Sequence, residues 1–128
     1  MARAPLPIPL ADRLLPAFEH ELLRARLHRG RFARILTSLA GANAIVFGRR
    51  VFLGVSAERA IAAGAAAAAA LLAHELTHVR QYRRYGMAAF LGRYVGEYLR
   101  ARIAGASHPE AYCGISFERE AERASRNC

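Results

Sequence analysis

The chain has no lysine and no tryptophan, one aspartate, one glutamine, two methionines and two cysteines among 128 residues. Each scarcity excludes something. Two cysteines, Cys113 and Cys128, cannot build a disulfide-dense scaffold or paired CxxC metal knuckles. A single bridge between them is open in an oxidising compartment, neither required nor excluded. Uncharged runs such as residues 60–73 reach only fourteen residues, short of the roughly 20 that span a bilayer. No transmembrane segment is therefore expected. The opening MARAPLPIPLADR has too short an apolar stretch and too many prolines for a clear signal peptide, so the cytoplasm is slightly favoured. All nineteen cationic residues are arginine, against nine glutamates and one aspartate, for a net charge of +9. That balance permits long-range attraction to an acidic partner without establishing one. Nucleic acid is not expected as a partner, because the Arg-rich stretch from Arg24 to Arg34 has no aromatic platform or finger spacing. It reads instead as a solvated face around an apolar stripe.

What is present is a foldable core. With 54% hydrophobic residues, the chain reads as one globular domain over residues 1–128. Pro5, Pro7 and Pro9 predict an extended arm over residues 1–11. Asp12 is then the N-cap of a helix over 13–28, with Leu14, Leu15, Phe18, Leu22 and Leu27 at helical spacing. A short helix over 32–40 is expected to turn Phe32, Ile35, Leu36 and Leu39 inward and to close at Gly41. Residues 44–55, AIVFGRRVFLGV, predict two short strands around Gly48-Arg49-Arg50. Ser56 caps a turn. The alanine run predicts a helix from about residue 65 through Tyr85, stopped by Gly86. Residues 87–104 form an amphipathic helix through Phe90, Leu91, Tyr94, Val95, Tyr98 and Leu99. An irregular loop follows over GASHPEAYCGIS, and a last helix starts at Ser116. The fold class is α+β, mostly helical.

One motif organises the rest. His74-Glu75-Leu76-Thr77-His78 reads HExxH within the helix predicted from about residue 65. At 3.6 residues per turn both imidazoles leave one face, where a single Zn²⁺ can take both. Glu75 then reaches water on the metal rather than the metal itself. A catalytic zinc needs a third protein ligand, and candidates are His20, His28, His108 and the acidic residues after 97. No histidine lies between residues 79 and 107, which favours two histidines and one glutamate. Glu118 and Glu122 stand one turn apart on the last helix, so one can bind metal while the other accepts a ligand histidine's remaining N–H.

HELTHVRQY, the aromatic helix after it and FEREAERA together resemble the gluzincin clan of zinc metallopeptidases. They are most similar to the small zincin-like domain associated with the cores of extracellular contractile injection systems and with stand-alone bacterial proteins. GANAIVFGRRVFLG resembles the strand region before that domain's metal helix. The likeness covers residues 41–124 as a zincin-like core: a metal helix, a hairpin before it, and a C-terminal helix supplying the third ligand. The clan's Glu-x-x-x-Asp register implies Glu118 as ligand and places Glu122 where aspartate stands, one methylene longer. Glu120 is the local alternative.

The resemblance implies a peptidase that hydrolyses peptide bonds of a peptide or protein substrate, with Glu75 as general base. The oxyanion needs a donor, with Tyr112 preferred over Tyr94, His108 and Tyr82. The competing expectation is a non-catalytic, zinc-stabilised structural or interaction module, attached to a larger bacterial assembly or an acidic partner. A fourth protein ligand such as His108 or Cys113 would favour it.

Overall fold

The computed structural model describes residues 2–3, 8–64 and 66–125. Strand β1 (Ala2–Arg3) is followed by α1 (Ile8–Arg24), β2 (Arg26–Arg29) and α2 (Arg31–Ala40). The hairpin β3 (Ala44–Phe47) and β4 (Arg50–Leu53) leads into α3 (Val55–Ala63) and α4 (Ala66–Tyr85). Helices α5 (Met87–Ile103), α6 (His108–Cys113) and α7 (Ser116–Ser125) complete the chain. The fold is mostly helical, with a short β-hairpin ahead of α4 and a C-terminal helix, as the hydrophobic periods predict. The sheet has the order β1-β2-β4-β3; β2 runs parallel to β4, and the other two pairings are antiparallel. Strand β3 is therefore an edge.

Helix α4 runs through the centre. Leu72 and Leu76 are 0% and 1% exposed, each burial contributing about 1.5–3 kcal/mol. They meet Leu10, Leu14 and Phe18 of α1, Val51 and Leu53 of β4, and Ile61 of α3 in one core cluster. Burying this face of α4 leaves the histidine face to the third side of the molecule, where α7 packs. A second cluster, Tyr82, Phe90, Ile115 and Phe117, joins α4 to α5 and α7.

Several elements depart from the sequence expectation. The helix predicted over 13–28 runs instead from Ile8 to Arg24, so Asp12 lies inside it and caps nothing. Pro9 is tolerated in the first turn, where its missing N–H has no intrahelical acceptor to satisfy. Pro16 does deny the helix a hydrogen bond, and the backbone leaves helical dihedrals at Phe18. Arg80 repairs that kink by donating to the Ala17 carbonyl at 2.6 Å. Residues 26–28, the end of the expected helix, instead belong to β2 because Leu27 and His28 pair with Val51 and Phe52 across the sheet. Of the arm expected over 1–11, Ala2–Arg3 is extended, residues 4–7 fall outside the described residues, and Ile8 onward is helical.

Helix α2 has the expected bounds but the opposite face. Ala33 and Thr37 are buried and Leu36 is half-buried, whereas Phe32, Ile35 and Leu39 are exposed. The cause is close approach: a Cβ at Gly54 would stand 3.1 Å from Thr37 Oγ1 and 2.9 Å from the Asn43 carbonyl. Only small side chains fit that seam. Ser56 lies inside α3, whose N-cap is Gly54. The stretch expected as an irregular loop contains α6, capped by Ser107, whose hydroxyl accepts from the Glu110 N–H at 3.3 Å. Cys113 is not a free thiol, and Cys128 lies outside the described residues.

Candidate metal centre

His74 and His78 project from one face of α4 with ring centroids 5.0 Å apart. Helix α7 delivers Glu118, 1% exposed, against them. Glu118 Oε1 lies 3.2 Å from His74 Nε2 and touches His78 Nε2. One ligand atom from each of the three residues falls within a 4.8 Å span. The arrangement is a potential His/His/Glu metal-binding triad.

The hydrogen bonds behind the triad fix its chemistry. Gln81, one turn after His78 and 1% exposed, donates from Nε2 to the Phe117 carbonyl at 3.0 Å and to Glu120 Oε1 at 2.9 Å. Its Oε1 is therefore the atom 2.8 Å from His78 Nδ1, so that nitrogen carries the proton. The neutral ring then presents a lone pair at Nε2 to a carboxylate oxygen, and two acceptors in contact need a cation between them. A proton or a metal ion satisfies this. Glu118 Oε2 is buried and meets no hydrogen-bond geometry among the described residues, although the Tyr94 and Tyr112 hydroxyls lie close enough to interact with the carboxylate. The donor set, two imidazole nitrogens and a carboxylate, suits zinc, so the residues fit the metal that the motif implies.

Charges in the site are mutually displaced. Burial alone would raise Glu118, but His74 and His78 hold its carboxyl far below the usual carboxylate range. Burial would lower His78, yet its contact with Glu118 raises it on balance. Glu75 is pushed up, chiefly by burial and partly offset by His78 and His74. Burial, then the Glu118 charge, drives the Tyr94 and Tyr112 hydroxyls well above their ordinary range.

Glu75 is next to the triad and outside it. It borders a cleft of about 590 Å³ with His74, Asn43 and Tyr112, and a second of about 420 Å³ with His78, Tyr94 and Glu118. Tyr112 lines both, and the edge strand β3 contributes to both. The other histidine candidates stay outside the triad. His20 borders a separate cavity, His28 stacks on Phe52 at 5.3 Å, and His108 borders the larger cleft beside Glu75, with its Nδ1 2.8 Å from the Tyr98 hydroxyl. Glu120 is held by Gln81 rather than by the triad. Glu122, expected to orient a ligand histidine, has a buried Oε2 without a partner among the described residues. Ser125 Oγ stands 3.4 Å from His74 Nδ1 instead. Sequence reasoning missed both Gln81 and Ser125. Gln81 had a signal, being the lone glutamine and three residues beyond a ligand histidine.

The family model of the eCIS core domain matches residues 5–86, more than half of the chain. The chain belongs to the eCIS core domain family. The matched span of this eCIS core domain includes His74, Glu75 and His78 and begins well ahead of the hairpin. It ends before α7, so Glu118 enters the site on the structure's geometry. No curated protein and no solved structure matches the chain.

Proposed function

We propose that this eCIS core domain holds a zinc-class ion on His74, His78 and Glu118 and hydrolyses peptide bonds there. The observation that carries the reading is the place of Glu75: buried, beside the ligands, and facing the clefts without joining the triad. A purely structural centre has no use for a carboxylate so placed. When bound, the ion would supply Lewis acidity that polarises a carbonyl and acidifies water. Glu75 would accept the proton of the attacking water and pass it to the leaving amine, and its upward-shifted pKa suits a group that must both take and give. Tyr112, protonated throughout the neutral range, would donate to the developing oxyanion. The free edge of β3 would orient an extended peptide beside Glu75.

A specific observation favours a second reading, a zinc-stabilised interaction module without turnover. The triad ties α4 to α7 through a carboxylate that is 1% exposed, so the ion would act as a strut whether or not it catalyses. One experiment separates the two. Purified protein is assayed for zinc content and for cleavage of a casein or mixed-peptide substrate, alongside Glu75→Gln. Peptidase function predicts equal zinc in both proteins and a loss of turnover in the variant of about 10²-fold or more. A wild type with one zinc per chain and no turnover would leave the structural reading. Glu118→Ala should lose more zinc than Glu120→Ala; the reverse order would move the third ligand.

A further inference from the structure

A separate cavity of about 230 Å³ opens between the end of α1, the β3–β4 turn and the last turns of α4. It shares only Tyr82 with the clefts around Glu75. Its floor is apolar: Val79 and Tyr82, 5% and 7% exposed, with the Met87 side chain packed under the Gly48 turn. Its rim carries Arg24, Arg49 and Arg83, one from each of the three elements and all exposed. Arg34, Arg80 and Arg93 each reach a glutamate. The three rim guanidiniums have no carboxylate partner among the described residues. Glu21 also borders the cavity, but its Oε1 is held by Arg80 at 2.7 Å, so it does not neutralise the rim.

Three exposed guanidiniums around an apolar hollow, none with a carboxylate partner among the described residues, make a rim that attracts an anion. The hollow's size narrows what that anion belongs to. It is below the roughly 300–1,000 Å³ of small-molecule sites and suits a single large apolar side chain acting as an anchor. Guanidiniums on three sides would pair with carboxylates flanking such an anchor, in the planar geometry that arginine recognises best. A nucleic acid fits poorly, since the hollow offers a single aromatic ring and no succession of rings on which bases could stack. We propose that this hollow docks an acidic segment of a protein partner, one large apolar side chain seating on Val79, Tyr82 and Met87 while neighbouring carboxylates pair with Arg24, Arg49 and Arg83. The site is independent of hydrolysis at the metal centre.

The test is a titration of the ¹⁵N-labelled full chain with the synthetic peptide Asp-Asp-Phe-Glu-Glu, followed by amide shifts. The expected result is a set of shifts centred on residues 48–49 and 82–87. Affinity should fall at least about tenfold when Phe becomes Ser, and similarly in the Arg49→Glu, Arg83→Glu double variant. Arg100→Glu, away from the cavity, should bind as the wild type does. Single Arg24→Gln and Arg49→Gln variants, each expected to weaken binding about threefold, serve if the double variant does not fold. The proposal is overturned by an absence of shifts, by shifts confined to the clefts around Glu75 or spread over all arginines, or by equal affinity for the Phe and Ser peptides. Tighter binding of decanoate or of a single-stranded oligonucleotide at this cavity would overturn it as well.

Discussion

Gln81 touches the His78 ring, the Phe117 carbonyl and the Glu120 carboxylate at once, and through His78 it reaches the triad. Its amide is asymmetric, and both ends are used. The oxygen fixes the tautomer of a metal-ligand histidine; the nitrogen fixes where α7 lies along α4. Removing it would leave the ring free to take the other tautomer, in which Nε2 carries the proton and cannot ligate. Gln81→Leu keeps the volume and deletes both functions. Zinc affinity, read by competition with a chromophoric chelator, should fall about 10- to 100-fold, while helix content by circular dichroism stays near wild type. Unchanged affinity would reject the positioning role. A collapse of helix content together with affinity would reassign Gln81 to simple packing.

At the scale of elements, α7 is held at its start by a group from outside it. Glu97 of α5 accepts from the Ser116 backbone N–H at 2.9 Å and from the Ser116 hydroxyl at 2.8 Å. Burial raises Glu97, but these bonds and Arg93 outweigh it and hold the carboxyl below its ordinary value of 4.5. A carboxylate whose pKa is depressed by folding stabilises the fold above that ordinary value, and the stabilisation disappears as pH falls through the folded value. Glu97→Ala should therefore lower the melting midpoint near pH 7 by roughly 4 °C, the equivalent of about 1 kcal/mol for a helix cap in a domain of this size. As pH falls through that lowered value the two midpoints should converge. A gap that persists in acid would mean that Glu97 acts through packing.

Elements also differ in how far the sequence alone makes them legible. The hairpin, α4, α5 and α7 each carry a period and a glycine or serine boundary, and the HExxH spacing by itself sets two ligands on one helix face. Strand β2 carries no such signal: four residues, Arg26–Arg29, become a strand only because β4 lies beside them. The buried face of α2 is set by the close approach at Gly54, a tertiary fact that hydrophobicity alone reverses. Helix α6 does carry a start signal. Ser107 and Glu110 form an S-x-x-E box with Pro109 in the first turn, but Gly105 and Gly114 on either side make the same stretch look like a loop.

On the scale of the whole molecule, the site is where two packing units meet. One core joins α1, the sheet and α3 to the inner face of α4; the other joins α5 and α7 to its C-terminal end. Glu75 of α4 and Glu118 of α7 are both buried; burial is the main cause that raises Glu75, and repulsion from Glu118 adds to it. A divalent cation at the triad turns that repulsion into a link between the units, so metal binding and folding share free energy. At free zinc about 100 times its dissociation constant the gain is about 2.7 kcal/mol, or roughly 10 °C in midpoint for a chain of this size. The midpoint should climb with zinc concentration, return on chelation, and cease to respond in His74→Ala. Magnesium should not reproduce the shift, because it prefers an all-oxygen octahedron over two imidazoles. A midpoint indifferent to zinc would mean that the proton, not a metal, is the cation between His78 and Glu118, and the hydrolytic reading would fall with it.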